Sequence, residues 1–327
     1  MVYERMSKHQ LTDLIIELRK FRGLTRKSAI GEILDILGET SYDDAGFFEV
    51  GTSDIKVVVS CDGIVENLVE SDPWLAGYYS VLANVNDVVA KGAKPVGFVN
   101  IISSNSNEMR RKVAEGIQNG LRKYQLKLLK GHTHPDTSYS AVDAMVIGIA
   151  KNVLPSTAAK VNDSLIMAVD LNGKFGSKDW LKTFDSTTMK SSQEVLERLD
   201  SMIKLAERKL ANAARDVSGP GIAGTIAMLC ESSQVGAKVN VDNMPKPVGV
   251  EVKDWLTTYP GMGFVISTKQ PTECLHLLRK HKLAAEVIGE IRADKRIWFS
   301  YKGQKALFFD LKNESVFGSK RFKIRTS

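Results

Sequence analysis

The stretch that most constrains the fold is Ser71–Pro95, SDPWLAGYYSVLANVNDVVAKGAKP, because it signals both ends of one helix. Asp72 is a good N-cap, Pro73 suits the first helical position, and Gly92 followed by Pro95 stops the helix. At about 3.6 residues per turn, Trp74, Tyr78, Val81, Val85 and Val88, flanked by Leu82 and Val89, share a face fit for burial. Ser80, Asn84, Asp87 and Lys91 share the opposite face. On the helical pattern alone, a stripe of that composition reads as solvated.

A chain of 327 residues is long enough for two domains, each with its own core. Lys and Arg outnumber Asp and Glu by 45 to 38, and the excess is spread along the chain rather than blocked. Such a balance suits phosphorylated small molecules and does not demand nucleic acid. Cys61, Cys230 and Cys274 are far apart and lack metal-ligand spacing, so they read as core residues in a reducing compartment. No signal-peptide pattern opens the sequence and no apolar run reaches the roughly 18 residues of a membrane span, which leads us to expect a cytoplasmic protein.

Two amphipathic helices are expected over residues 9–21 and 25–37, the second capped by Thr25 and stopped at Gly38. The basic run between them, RKFRGLTRK, reads as solvated surface. Phe47–Val50 and Ile55–Ser60 resemble strands flanked by acids, Asp43 and Asp44 before and Asp62 after. A strand over Val96–Ile102, a helix over Asn107–Tyr124, and then strand, exposed polar loop (Gly131–Ser138) and strand complete an α/β unit. Residues 154–163, LPSTAAKVND, form the best domain boundary, dividing the chain into 1–155 and 156–327. Beyond it we expect a strand in SLIMAVDL, a turn-rich loop GKFGSKDW and a long helix from Gln193 to Ala214 rich in charge pairs. A helix in IAGTIAMLCESSQ follows, then strands in KVNVD, GFVIS, IWFSY and ALFFD with a helix near Thr272–Lys282.

Gly219-Pro220-Gly221-Ile222-Ala223-Gly224 matches G-x-G-x-x-G, but it follows the expected long helix rather than the strand a dinucleotide-binding turn requires. No G-x-x-x-x-G-K-[ST] loop is present. His132, His134 and Asp136 have H-x-H-x-D spacing, which suits a metal hydrolase. The further imidazoles such a site needs would have to be His276 and His281, on a charged helix. There remains a set of carboxylates in short polar motifs: Asp43, Asp44, Asp62, Asp87 and Asp216. Hard oxygen ligands of this kind hold Mg²⁺ ions that in turn hold a polyphosphate, although each acid alone could be a turn former or cap.

Asn84-Val85-Asn86-Asp87-Val88-Val89-Ala90-Lys91-Gly92-Ala93-Lys94-Pro95 resembles the N-x-x-D-x-x-A-x-G-A-x-P helix of the PurM-like ATP-binding superfamily. That group includes aminoimidazole ribonucleotide (AIR) synthase, thiamine-monophosphate kinase, selenophosphate synthetase and a hydrogenase-maturation dehydratase. Asp43-Asp44-Ala45 resembles its D-D-A motif, Asp62-Gly63-Ile64-Val65-Glu66 the kinase's D-x-x-V-E, and Gly131-His132-Thr133 the G-[DEH]-T loop. Asp216-Val217-Ser218-Gly219, followed by ESSQVGAKV, resembles D-[IV]-S-[DG]-G and E-x-S-G-V-G-A. The resemblance spans nearly the whole chain. RKSAIGEI, GHTHPDT, TIAMLCESSQVGA and YPGMGFVIS look most like AIR synthase-related proteins, including a set from methanogens.

The resemblance implies two α/β domains: the first pairs across a homodimer into a β-barrel and the second is α+β, with ATP and several Mg²⁺ in the cleft between them. Carried over position by position, Asp44, Asp62, Asp87 and Asp216 would be Mg²⁺ ligands, with Asp43 a weaker candidate. Asn86, Gly131, His132, Thr133, Ser218 and Gly219 would line the nucleotide or phosphate path. Asn84 and Glu66 match motif positions that could equally be structural. On this reading Lys91 is an ordinary surface charge, and backbone N–H groups at Gly219 and Gly221 face phosphate. Tyr42 replaces the glycine usual before D-D-A, His132 replaces the kinase's acid (for which Asp136 is a substitute), and Gly219 breaks the kinase's D-V-S-D. The N-terminal segment lacks the cysteine and glycine-rich lysine loop of selenophosphate synthesis. The expected activity is ATP- and Mg²⁺-dependent phosphorylation, or activation by phosphorylation, of a small anionic metabolite. A catalytically silent nucleotide-binding scaffold is the alternative, and a metal hydrolase using His132, His134 and Asp136 the third.

Overall fold

A computed structural model describes residues 8–39, 41–176 and 182–319. In chain order come helices α1 (Lys8–Lys20), α2 (Arg22–Thr25) and α3 (Ile30–Leu37), strands β1 (Gly46–Glu49) and β2 (Lys56–Gly63), then α4 (Glu66–Ser71) and α5 (Pro73–Ala90). Next are β3 (Lys94–Ser103), α6 (Asn107–Tyr124), β4 (Lys127–His134), β5 (Ala141–Ala150), β6 (Ser164–Val169), β7 (Lys174–Phe175), β8 (Thr183–Asp185) and α7 (Ser192–Glu207). The rest comprises β9 (Ala213–Asp216), α8 (Gly221–Ser232), β10 (Gly236–Asn240), α9 (Val252–Leu256), β11 (Tyr259–Pro260), β12 (Gly263–Thr268), α10 (Pro271–Lys280), β13 (Ala284–Arg292), β14 (Arg296–Tyr301) and β15 (Gln304–Asp310). Ser177–Trp180 of the expected GKFGSKDW loop lie outside the described residues. No helix among the described residues is long and apolar enough to cross a membrane.

These elements form two compact units, both mixed α and β. The first is continuous from Asp44 to Val153 and takes in Met189–Lys209 as well; the second collects the residues up to Asp43, Leu154–Thr188 and everything from Leu210 on.

The first unit is a five-stranded sheet, ordered β1-β2-β5-β3-β4, whose only parallel pair is β3 with β4. α5 and α6 pack on one face, and α7 packs on both helices. The Asp72 side chain accepts from the Leu75 amide at 3.0 Å, so the expected cap of α5 is made. α5 and α6 approach backbone to backbone: a Cβ at Gly77 would strike the Val113 carbonyl, and one at Gly116 the Trp74 carbonyl. The opposite face of the sheet carries Phe48, Ile101 and Ile149 at 58, 40 and 41% exposure, with Val57, Val59 and Ile147 half-buried among them.

The second unit is a seven-stranded sheet, ordered β15-β14-β10-β13-β6-β12-β9, and a small sheet β11-β8-β7. α8 is buried along all twelve residues, and its Ile222, Ile226, Leu229 and Cys230 join a core with Met167, Val265, Ile291 and Phe299. α1 lies along β15, where the Arg19 guanidinium donates to the Phe308 carbonyl at 2.8 Å and sits over the Phe309 ring.

Several expectations change. Thr25 makes no capping bond, because it lies in helical backbone and the chain turns through a 3₁₀ segment, Arg26–Ala29, before α3; Gly38 does end α3 in the left-handed conformation. Gly131–His134 are not loop but the end of edge strand β4, whose uniformly exposed residues imitate loop composition. α7 stops at Glu207, with Lys209 at φ +55°, and the segment expected to continue it forms β9. The G-x-G-x-x-G run therefore does follow a strand. That strand is an edge paired antiparallel to β12, so no parallel βαβ dinucleotide unit is built.

Glu231, buried on α8, accepts from Ser315 Oγ at 2.5 Å and from the Val316 and Phe317 amides at 2.6 and 3.3 Å. Burial raises its pKa above the ordinary 4.5, while those three hydrogen bonds act in the opposite direction. An acid whose folded-state pKa is raised contributes stability that is fully present below about 4.5 and is lost as pH climbs through the raised value. The melting temperature of the wild type should therefore fall relative to that of Glu231→Gln as pH increases above about 4.5. A gap that stays constant with pH in thermal-unfolding scans would contradict this.

Candidate functional site

Most of the first unit's candidate residues are placed by α5 and β2. Along β2 alternate residues point toward α5, so Val58 and Ser60 are buried, and Asp62 follows at the exposed strand end. On α5 the i, i+3/i+4, i+7 spacing stacks Ser80, Asn84, Asp87 and Lys91 in one row. That row is not solvated. Ser80, Asn84 and Lys91 are fully buried and Asp87 is 5% exposed, so α5 is enclosed on its polar as well as its apolar side.

Burial of those groups is matched by hydrogen bonds. Ser60 Oγ lies 2.6 Å from Asp87 Oδ2 and 3.0 Å from Asn84 Oδ1. Its single proton is best placed on the shorter contact to the carboxylate. Asn84 Oδ1 accepts from the Asp62 amide at 3.0 Å, and Asn84 Nδ2 donates to the Ser80 carbonyl at 2.9 Å. Asn84 thus ties the end of β2 to α5, a structural role for a residue that matches the motif.

Lys91 is not a surface charge. Its ammonium lies 3.3 Å from Asp44 Oδ2, with the two side chains 0 and 6% exposed. Asp44 and Asp87 each present a carboxylate oxygen within 4.8 Å of the other's. Two acid side chains in so small a volume present hard oxygen donors, the donor type that suits Mg²⁺. Asn86 is buried on the same helix, and Glu66 opens α4.

Gly131, His132 and Thr133 lie on β4 opposite Asn100, Ile101 and Ile102 of β3. His132 and His134 project the same way from the strand, their rings 4.6 Å apart edge to face. Among the described residues, neither they nor Asp136 belong to a group of three side chains placed to share one metal ion.

In the second unit Asp216 ends β9, is 2% exposed, and pairs through its backbone with Phe264. Ser218 and the exposed Gly219 follow. The Gly221 N–H, expected to face phosphate, instead donates to the Ser218 carbonyl at 2.9 Å. Asp43 is engaged at both oxygens by Ser156: Oδ2 takes the amide at 2.7 Å and Oδ1 the hydroxyl at 2.5 Å. Arg215, beside Asp216, is 2% exposed and donates to the Tyr42 carbonyl at 2.8 Å. The sequence reading singled out neither Ser60 nor Arg215. Ser60 could have been found from the β2 alternation, as a polar residue two positions from the buried Val58 in the middle of an apolar strand.

Residues 42–150 match the family model described as AIR synthase related protein, N-terminal domain, and residues 164–302 the corresponding C-terminal domain. An uncharacterised protein of Methanocaldococcus jannaschii is 36% identical over 94% of this chain and 99% of its own length; another, from Synechocystis, is 30% identical over 94 and 98%. The thiamine-monophosphate kinase of Pyrococcus abyssi is 26% identical, covering 62% of this chain and 66% of its own. Among solved structures, phosphoribosylformylglycinamidine synthase II of Thermotoga maritima superposes with a TM-score of 0.74 at 15% identity, over 91% of this chain and 52% of that one. A ThiL complexed with AMPPCP and TMP superposes at 0.64 and 14% identity, over 85 and 95%. The chain spans about half the length of the synthase chains whose fold it shares.

Removing the buried Lys91 ammonium with Lys91→Met should destabilise the protein by about 3 kcal/mol. The effect is expected as a lower urea midpoint at unchanged m-value, and an unaltered midpoint would mean that the pair with Asp44 contributes nothing.

Proposed function

Since the chain belongs to the AIR synthase related family of PurM-like proteins, we propose that it binds ATP with Mg²⁺ and uses it to phosphorylate, or activate by phosphorylation, an oxygen of a small anionic substrate. The observation that carries the reading is the buried Asp87, oriented by Ser60 and set within 4.8 Å of Asp44 on a helix with the family's polar pattern. The nucleotide complexes of solved relatives, an ATP complex of T. maritima PurL and an AMPPCP complex of ThiL, support it at the level of fold.

The proposed Mg²⁺ ligands are Asp44, Asp62 and Asp87 of the first unit and Asp216 of the second. Bound Mg²⁺ supplies charge neutralisation for the transferring phosphoryl group. Ser60 holds Asp87 in one rotamer, and Asn84 fixes the strand end that carries Asp62. Asp43 holds the chain leading into Asp44 through Ser156. Asn86, Gly131, His132, Thr133, Ser218 and Gly219 are the proposed nucleotide and phosphate contacts. A cytoplasmic setting is consistent with three free cysteines, two of them buried thiols whose pKa burial raises to about 12.

Calorimetry should detect Mg-AMPPCP binding to the wild type, weakened at least about tenfold by Asp87→Asn and by Asp216→Asn. Absence of binding by the wild type, together with unchanged behaviour of both variants, removes the proposal. Binding without ADP release across a metabolite screen would favour the non-catalytic scaffold, which the substitutions at Tyr42, His132 and Gly219 also suit.

The exposed apolar sheet face of the first unit is proposed to pair with a second copy of the chain. Apolar area of this kind on a β-sheet is commonly buried in an interface. Phe48→Glu with Ile101→Glu should convert a dimer into a monomer in sedimentation analysis; a wild type that sediments as a monomer refutes the pairing.

A further inference from the structure

Tyr42 stands at φ +49°, a left-handed conformation that a bulky aromatic residue holds only when its surroundings impose it. The groups that impose it come from both directions along the chain. The Tyr42 amide donates to Glu39 Oε2 at 3.0 Å, and its phenol donates to Asp35 Oδ1 at 2.6 Å. Its carbonyl accepts from Arg215 at 2.8 Å, and its ring stacks on Phe317 with centroids 4.9 Å apart and planes 19° from parallel.

Phe317 belongs to Ser315–Ser319, a segment fastened at every residue but one by hydrogen bonds. The Phe317 carbonyl accepts from the Gly31 amide at 2.7 Å, and Ser319 Oγ donates to the same Asp35 carboxylate at 3.1 Å. Glu231 takes the Ser315 hydroxyl and the Val316 and Phe317 amides. The remaining residue, Gly318, has φ +72°, and a Cβ there would collide with the Ser28 carbonyl, so the segment lies directly on the chain entering α3. The Arg215 guanidinium lies 5.9 Å from the Phe317 ring centroid, within cation-π range, while holding the Tyr42 carbonyl.

We infer that Ser315–Ser319 is a strap that sets the conformation of Tyr42, with Phe317 and Tyr42 acting as positioning residues for the acids on either side of them in the second unit, Asp43 by chain continuity and Asp216 through its neighbour Arg215. This rests on the metal-nucleotide reading for its functional consequence but not for its structural one. The strap supplements local backbone preference: a residue that disfavours positive φ is held there by the nearby acids Asp35 and Glu39 together with Arg215 and Phe317, which lie far away in sequence. Metal affinity at the acid motifs is thereby coupled to the C-terminal end of the second unit, remote from every acid motif in the sequence.

The test compares the full-length wild type with Phe317→Ala and with Phe317→Tyr, which keeps the stacking ring. Amide hydrogen exchange at Tyr42 and Ser156 should accelerate about tenfold or more in Phe317→Ala and stay near wild type in Phe317→Tyr, because those amides are held by Glu39 and by Asp43. Calorimetric affinity for Mg-AMPPCP should weaken about tenfold in Phe317→Ala and recover in Phe317→Tyr. Wild-type exchange rates at both amides in folded Phe317→Ala overturn the strap. A wild type that binds no nucleotide removes the metal reading, and the exchange result still decides the strap. Should Phe317→Ala not fold, Phe317→Leu, which keeps bulk without a stacking face, is read in the same way.

Discussion

The first unit depends on satisfying the polar row of α5 inside the protein. A helix with water on one side needs only one apolar stripe, but α5 is enclosed all round, and its row includes an amide, a carboxylate and an ammonium. Groups of this kind are tolerated in the interior only when hydrogen-bonded or paired. That requirement dictates the neighbours: Ser60 must face α5 from β2, the Asp62 amide must reach Asn84, and Asp44 must come within reach of Lys91. A one-residue slip of β2 against β5 would turn Ser60 to the other face and leave the row unmatched. Register in the sheet and position of the acids are therefore fixed by the same contacts.

The second unit solves an equivalent problem with backbone groups drawn from distant parts of the chain. Arg215 is matched by the Tyr42 carbonyl and Ser232, and Glu231 by two amides and a hydroxyl of the strap. Asp163 gathers the Lys160 amide, Asn212 and Ser267 on one oxygen. Each of these buried groups ties segments far apart in sequence, and the segments near residues 42 and 317 are organised by Arg215 and Glu231 from the middle of the sequence. A buried group left with one partner missing would be far more costly than the net value of its bonds, so these ties are obligatory rather than additive.

What was legible in the sequence follows from the same physics. α5 is readable because its cap, Asp72, acts locally and needs nothing from the rest of the fold, and the helix expected over Asn107–Tyr124 is found at those bounds as α6. Lys91 was misread because helical spacing shows that four polar residues share a face, not whether water or Asp44 waits opposite. Edge strand β4 hid its GHTH segment, since a strand exposed on every residue has no alternation to detect. α7 was drawn too long because charged residues continue beyond Glu207, whereas the left-handed Lys209 that ends it carries no glycine signal. β13 went unremarked because Gly289 and a register shift interrupt its pattern. The acid motifs themselves were visible only through their resemblance to a family, and Ser60 and Arg215, which orient the region around them, lie outside those motifs.

The neighbouring acids Asp43 and Asp44 show how one short motif divides two tasks. Asp43 has both oxygens taken up by Ser156, a bidentate arrangement that fixes the chain and suits an anchor. Asp44 faces an ammonium instead. Two carboxylates within 4.8 Å repel by about 3 kcal/mol at an effective dielectric near 20, and Lys91 offsets that repulsion from a position fully shielded from water. A lysine one turn beyond Asp87 on the same helix thus permits acids to stand close together while the fold is otherwise intact, and close-set hard oxygens are what a divalent cation requires. The close approach of the two acids is inseparable from the buried ion pair beside them, which accounts for a long, flexible, strongly hydrated side chain in a fully buried position.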